Sequence, residues 1–160
     1  AGSELAIQYA EVPREIFAVE KDATDGAIAV AAAIARGASR IVLAGGLGGQ
    51  ADHMAGLLGQ ALQIARGGRS CLVTSGAEEA YPLLPGRMLI DLPAESRISL
   101  VPFADLEGLD LAGVKWPLQS RHVTLGSTLT LSNVALGPVT VGLRGGHGVA
   151  IAMPRFDSHD

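Results

Sequence analysis

Residues 40–74 read RIVLAGGLGGQADHMAGLLGQALQIARGGRSCLVT, and this stretch decides the fold class of the first half of the chain. Arg40–Ala44 have the composition of a buried strand and run directly into a glycine-rich loop. A helix is predicted over residues 53–66 with Asp52 as its N-cap, and Ser70–Thr74 form the next strand. A strand, a helix and a strand of these lengths favour a βαβ unit and a parallel sheet.

The residues before this stretch continue the same alternation. A helix is predicted from Thr24 or Asp25 to Arg36, and Gly37 ends it. Ile16–Val19 have the pattern of a short strand that precedes this helix. A further strand on that side would extend the parallel sheet.

The pattern changes near Ala77, where the helical periodicity stops. Short strand-like runs follow, separated by Pro, Gly, Ser and Asn at intervals of roughly ten residues, which is typical of a β-sandwich. The predicted strands are Arg87–Leu92, Arg97–Pro102, Asp110–Val114, Val123–Leu125, Leu129–Leu131, Val139–Leu143 and Val149–Met153. The sequence therefore predicts an α/β domain with a partial parallel sheet over residues 1–78, followed by an all-β sandwich over residues 79–160.

Composition excludes several classes of protein. The net charge of −4 is wrong for a nucleic-acid-binding surface, which needs clustered positive charge. The one cysteine, Cys71, excludes an internal disulfide and a cysteine-based zinc site. The longest apolar run, residues 27–35, is far shorter than the ~18 residues of a membrane span, so a soluble, cytoplasmic protein is predicted.

Acidic residues and glycines stand where the predicted strands end. Asp22 and Asp25 begin the first helix, and Asp52 begins the second, after the glycine loop. Such acids serve as helix caps, or they bind Mg²⁺ through carboxylate oxygens. The loop itself is either a tight-packing device or an anion site, since the amides of a helix N-terminus face it.

An aromatic site is the third candidate. Trp116 is the only tryptophan and lies in the segment GVKWPL at residues 113–118, upstream of the pair Ser132-Asn133. Its side chain suits either a packed core position or a platform for a flat or cationic ring. The sequence pattern leaves both open.

These segments, in this order, resemble the thiamine pyrophosphokinase (thiamine diphosphokinase) family. The matching motifs are E-K-D-x-T-D at 20–25, G-x-x-G-G-x-x-D-H at 45–53, G-x-K-W-P-L at 113–118 and S-N at 132–133. The resemblance implies a nucleotide-binding α/β domain followed by a thiamine-binding β-sandwich. It also implies Mg²⁺-dependent transfer of a diphosphoryl group from ATP to thiamine, which gives thiamine diphosphate and AMP.

The resemblance further implies a role for individual residues. The catalytic residues would be Asp22, Asp25 and Asp52, with Asp22 and Asp25 as metal ligands. The ATP-binding residues would be Lys21, Thr24, Gly48, Gly49, Gln50 and His53. The thiamine-binding residues would be Trp116, Ser132 and Asn133. A homodimer is implied, in which each active site lies between the nucleotide domain of one subunit and the sandwich of the other.

The sequence departs from the family pattern in two places. Gln50 stands where the family usually has Arg, and the G-D-F-D-S segment of the family's first half does not precede residue 20. We therefore expect the nucleotide domain to be N-terminally incomplete. The alternatives to the enzyme are a non-catalytic thiamine- or nucleotide-binding module and a structural β-sandwich adaptor.

Overall fold

The computed structural model describes residue 11 and residues 24–155. The helices within that part of the chain are α1 (Asp25–Ala35) and α2 (Ala51–Arg66). The strands are β1 (Arg40–Ala44), β2 (Ser70–Thr74), β3 (Glu79–Leu83), β4 (Gly86–Ile90), β5 (Arg97–Pro102), β6 (Leu106–Val114), β7 (Leu118–Val123), β8 (Asn133–Leu143) and β9 (Gly148–Met153). The described chain is thus mostly β-sheet with two helices near its beginning.

The first helix begins and ends where the sequence predicts. Thr24 is its N-cap, and the Thr24 hydroxyl accepts a hydrogen bond from the backbone N–H of Ala27 at 3.2 Å. The helix ends at Ala35, and Gly37 follows with φ +90°, a conformation that a side chain disfavours. The predicted strand Ile16–Val19 lies outside the described residues.

The second helix begins earlier than predicted, because Asp52 is not its N-cap. Gln50 occupies that position, and its side chain makes no capping hydrogen bond. Asp52 lies inside the first turn, where its Oδ1 accepts from the backbone N–H of His53 at 2.9 Å. A carboxylate in the first turn is stabilised by the helix dipole, so the helix extends back through Ala51 instead of starting after the acid.

One hydrogen-bonded sheet runs through the whole described fold. Its strand order is β1-β2-β3-β9-β5-β8-β6-β7, and β4 also pairs with β8. The β1–β2 pair is parallel, as predicted, and the pairings described from β3 onward are antiparallel. Strand β8 pairs with β5 through Asn133 and Val134 and then turns into the layer formed with β4 and β6.

Strand prediction was exact for β1, β2 and β5, and it failed in three places. It predicted a strand at Val123–Leu125, whereas β7 spans Leu118–Val123 and ends where that prediction begins. It missed β3, because Pro82 inside a run suggests a break; here Pro82 lies opposite Val149 in the ladder. It was wrong for Leu129–Leu131, which form a turn closed by the Leu131 N–H to the Thr128 carbonyl at 3.1 Å. The apolar side chains of Leu129 and Leu131 are exposed, so they are not the buried face of a strand.

Two apolar clusters fill the fold and meet along β3 and β9. Val73, Ala80 and Val149 belong to the cluster beneath the helices. Leu83 and Ala150, on β3 and β9, belong to the second cluster, which is formed mainly by the later strands. Because β3 also pairs with β2, it connects the two parts of the fold directly. The division at residues 78 and 79 stays a prediction.

None of the helices in residues 24–155 is both long enough and apolar enough to cross a membrane.

Candidate functional site

The loop between β1 and α2 is rich in glycines, and either their backbone conformation or their surroundings disfavour a side chain. The Gly45 N–H donates to the Thr74 carbonyl at 2.7 Å and ties the loop to β2. A Cβ on Gly46 would lie 2.6 Å from Cγ1 of Val73. Gly48 and Gly49 have φ of +90° and +71°, in the left-handed region that favours glycine. The chain can therefore turn straight from the end of β1 into the first turn of α2.

The first turn of α2 carries several of the predicted site residues. Gln50, Asp52 and His53 are all exposed there, next to the glycine loop. Because Gln50 does not cap the helix with its side chain, the amides of Ala51 and Asp52 remain available to an anion, whereas that of His53 donates to Asp52. This geometry agrees with the predicted phosphate-binding role, although it does not test that role.

The acids predicted to bind magnesium are described only in part. Asp25 is the first residue of α1, and Asp52 lies in the first turn of α2, both exposed. Lys21 and Asp22 lie outside the described residues. Within residues 24–155, no group of three or more His, Cys, Asp and Glu side chains is arranged to hold a metal ion. Their role as metal ligands therefore stays a prediction.

Thr24 has a structural task in addition to its predicted role at ATP. Its hydroxyl oxygen accepts the capping hydrogen bond at the start of α1. A hydroxyl that accepts still has its own hydrogen to donate, so capping and phosphate binding are compatible. Thr24 and Asp25 stay predictions for that second role.

The second group of predicted residues is assembled around Asn133. This side chain is only 6% exposed. Its Nδ2 donates to the Trp116 carbonyl at 2.8 Å, and its Oδ1 accepts from the backbone N–H of Trp116 at 3.2 Å and of Val134 at 2.9 Å. Asn133 therefore holds the backbone on both sides of the Trp116 Cα, where β6 ends and β7 has not yet begun.

Trp116 is not a core residue, because 54% of it is exposed. The Nζ of Lys115 lies 4.8 Å from the centre of the indole ring, within the range of a cation–π contact. The backbone of Lys115 is anchored too, since its N–H donates to the Val134 carbonyl at 2.9 Å. This exposure rules out the packed core position, and the role as a platform for a ring stays a prediction.

Ser132 lies at the same corner, and its backbone conformation is strained. Its φ is +58°, and its N–H donates to the Ser99 hydroxyl at 2.9 Å. Its own hydroxyl accepts from Arg97 at 3.1 Å. These contacts, from the neighbouring strand β5, fix the turn that delivers Asn133.

Sequence reasoning missed three residues of this corner. Lys115 lies inside the quoted motif, and its place beside an aromatic residue was the available signal. Arg97 and Ser99 gave no signal, because each lies more than 30 residues from its partner Ser132.

Tyr81 and Glu79 form a polar pair on β3, beside the end of β2. The Tyr81 hydroxyl donates to the Glu79 carboxylate, and Glu79 lies opposite Thr74 in the ladder. Burial raises the pKa of the Tyr81 hydroxyl, and the hydrogen bond and negative charge of Glu79 raise it further. Tyr81 therefore stays protonated well into the alkaline range.

The structure does not bring the two groups of predicted residues together within one chain. The loop that carries Asp52 follows β1, whereas Asn133 begins β8, five strands further along the sheet. At about 4.8 Å per strand this amounts to roughly 24 Å. The two groups therefore lie at different places along the sheet of one subunit.

Comparison with known proteins identifies the relatives of this chain. Residues 88–146 match the family model described as "Thiamin pyrophosphokinase, vitamin B1 binding domain". A curated relative, the thiamine pyrophosphokinase of Bacillus subtilis (strain 168), is 32% identical over 129 residues, which are 79% of this chain. The chain is therefore similar to thiamine pyrophosphokinases over most of its length. The matched segment contains Trp116, Ser132 and Asn133.

Solved structures of the family have the same fold. A crystal structure of thiamine pyrophosphokinase from Bacillus subtilis aligns with a TM-score of 0.78 at 28% identity, over 86% of this chain and 66% of that one. The enzyme from Geobacillus thermodenitrificans aligns with a TM-score of 0.79 at 27% identity, over 97% and 71%. The chain spans about 60% of the curated Bacillus subtilis thiamine pyrophosphokinase.

Proposed function

We propose that this chain acts as a thiamine diphosphokinase, which transfers a diphosphoryl group from ATP to the hydroxyl of thiamine. The observation that carries the proposal is the exposed Trp116 held by the buried Asn133, inside the segment that matches the vitamin B1 binding domain. An exposed indole on a fixed backbone can stack on the flat pyrimidine of thiamine. The products would be thiamine diphosphate and AMP.

The nucleotide side is proposed from the glycine loop and the acids near it. Diphosphoryl transfer needs mainly positioning and charge neutralisation from the protein. The amides at the start of α2 suit the phosphates of ATP, and Lys21, Thr24, Gly48, Gly49, Gln50 and His53 are proposed to line them. Asp22, Asp25 and Asp52 provide carboxylate oxygens, the ligand type that Mg²⁺ prefers. When bound, Mg²⁺ neutralises charge on the phosphates.

A homodimer with shared active sites is proposed from the separation of the two groups. Within one chain the loop after β1 and the corner of Trp116 lie five strands apart. A second subunit can supply the missing half of each site by placing its sandwich against the nucleotide domain of the first. Size measurement in solution tests this, since a monomer with full activity would contradict it.

The decisive experiment measures AMP release from this chain with ATP, thiamine and Mg²⁺. We expect release that depends on both thiamine and Mg²⁺ and that is lost in Asp52→Asn, while the fold is kept. Gln63→Glu, an exposed change on the outer side of the same helix, serves as the control. Thiamine binding without AMP release favours the non-catalytic module, and no binding of either substrate favours the structural adaptor.

Two further expectations from the sequence remain proposals. The division into a nucleotide-binding domain, residues 1–78, and a thiamine-binding domain, residues 79–160, is supported by the two separate apolar clusters. Limited proteolysis near residue 78 tests it. A cytoplasmic location is proposed as well, and cell fractionation tests it.

A further inference from the structure

The outer face of the layer formed by β4, β8, β6 and β7 carries a groove of about 640 Å³. Its floor consists of small residues: Gly142 lies between its ladder partners Arg87 and Asp110. Thr140 lies opposite Ala112 in the next row. Because glycine and alanine rise little above the backbone, the sheet face is concave here. The volume falls in the range of about 300–1,000 Å³ that is usual for small-molecule sites.

Two arginines face this groove from neighbouring positions. Arg87 lies opposite Gly142, and Arg144 lies two residues after Gly142, directly beyond the end of β8. They are therefore diagonal neighbours, with Cα atoms roughly 7–8 Å apart. Neither side chain has a hydrogen bond or an ion pair within residues 24–155.

One acid in the groove balances part of this charge, since Oδ2 of Asp110 lies 3.6 Å from where a Cβ on Gly142 would stand. Asp110 lies across Gly142 from Arg87, two strand spacings or about 10 Å away. Its Oδ1 already accepts from the backbone N–H of Ser120 at 2.7 Å. The groove therefore carries two arginines and one aspartate with no ion pair among them, and an anion bound between the arginines would balance the remaining positive charge.

Arg144 is held against the sheet by the shape of Gly108. This glycine has φ +58°, and a Cβ on it would lie 2.0 Å from Nε of Arg144. The Arg144 side chain thus crosses the backbone of β6 at a point that only glycine leaves open. Gln119 and Thr140, which also line the groove, add neutral hydrogen-bonding groups near the arginines.

We propose that this groove binds a small organic oxyanion, with Arg87 and Arg144 as its phosphate- or carboxylate-binding pair. Arginine presents a planar fork of donors that matches both kinds of oxyanion. The site goes beyond the proposed diphosphokinase reaction. Among its lining residues are neither Trp116 nor any of the acids proposed for Mg²⁺.

The test is calorimetric titration of the whole chain with two probes, inorganic pyrophosphate and citrate, with divalent cations chelated. Chelation suppresses binding of pyrophosphate through metal at the proposed catalytic acids. We expect saturable binding of at least one probe that Arg87→Gln and Arg144→Gln each weaken by about tenfold or more, as expected for lost charged hydrogen bonds. Arg121→Gln, which removes the same charge from β7 outside the groove, should change affinity by less than about twofold.

Comparison of the probes identifies the chemistry. Binding of pyrophosphate alone supports a phosphate ligand, and binding of citrate alone supports a carboxylate ligand. Binding of both probes supports a general oxyanion site. Gly108→Ala should weaken binding without removing a charge, because it displaces Arg144; circular dichroism checks its fold. Absence of saturable binding, or an equal loss in Arg121→Gln, overturns the proposal.

Discussion

The side-chain amide of Asn133 holds the backbone of Trp116 by two hydrogen bonds, one from its Nδ2 to the carbonyl and one to its Oδ1 from the N–H. Together with the bond from Val134, these use both polar atoms of a side chain that is almost fully buried. The family resemblance assigns Asn133 to thiamine binding. Its geometry gives it a positioning role, since it fixes the indole that would meet the ligand.

Asn133→Asp tests this positioning role with almost no change of shape. A carboxylate cannot donate to the Trp116 carbonyl, so a buried acceptor is left unpaired, at a cost of about 1–3 kcal/mol in the free energy of unfolding. We expect thiamine affinity to fall as well, since the indole loses its fixed position. Urea unfolding and the fluorescence of Trp116 under thiamine titration measure the two effects. Gln63→Glu, the same chemical change at an exposed site, should leave both unchanged, and equal thiamine affinity in both variants would contradict the prediction.

Lys115→Met tests the contact between the ammonium group and the indole. Lys115 already places one positive charge near the ring of Trp116. Without it, we expect the cationic thiamine to bind more tightly and the anionic thiamine diphosphate to bind more weakly, each by about twofold to tenfold. Tryptophan fluorescence titrations with both ligands measure the ratio of the thiamine affinity to the thiamine diphosphate affinity. Arg121→Met removes a charge from β7 as a control, and a ratio that moves equally in both variants would argue against a specific contact.

Gly48→Ala tests the need for left-handed backbone in the glycine loop. At φ +90° a Cβ costs about 1–2 kcal/mol, although no neighbouring atom blocks it. We expect lower stability and weaker ATP binding, as measured by thermal unfolding and nucleotide titration. Gly56→Ala, in the exposed middle of α2 with open space around it, should instead stabilise the protein by up to about 1 kcal/mol. Unaltered ATP affinity in Gly48→Ala would remove this loop from the proposed site.

Tyr81→Phe tests the alkaline stability of the fold. The pKa of Tyr81 is raised from 10.0 in the folded chain, mainly by burial, so above pH 10 the unfolded chain loses this proton more readily. The stability associated with the protonated hydroxyl is complete below pH 10 and is lost as the pH rises through the folded pKa. We expect the free energy of unfolding to fall less between pH 9 and pH 11 in Tyr81→Phe than in the wild type. Parallel slopes in urea unfolding at the two pH values would refute this assignment.

Much of the local structure could be predicted from the sequence, because it depends on neighbours along the chain. Thr24 caps α1 through the backbone N–H of a residue three positions away. The strands Arg40–Ala44 and Ser70–Thr74 can be recognised from their own composition, whichever strands they pair with. Strand β3 could not be predicted, because Pro82 is tolerated only through its place beside β9. The cap of α2 was wrongly assigned to Asp52, since the glycine loop lets the helix begin two residues earlier.

The sequence by itself determined the order of helices and strands from α1 to β2, the glycine turn before α2 and the motifs of the family resemblance. Only the tertiary structure decided what Asn133, Ser132 and Trp116 do. Their partners come from β5 and from the end of β6, at separations of 17 to 35 residues, and such contacts leave no periodic pattern in the chain. The groove that Arg87 and Arg144 line also depends on tertiary structure. The register of β4 on β8 places Arg87 opposite Gly142, two residues from Arg144.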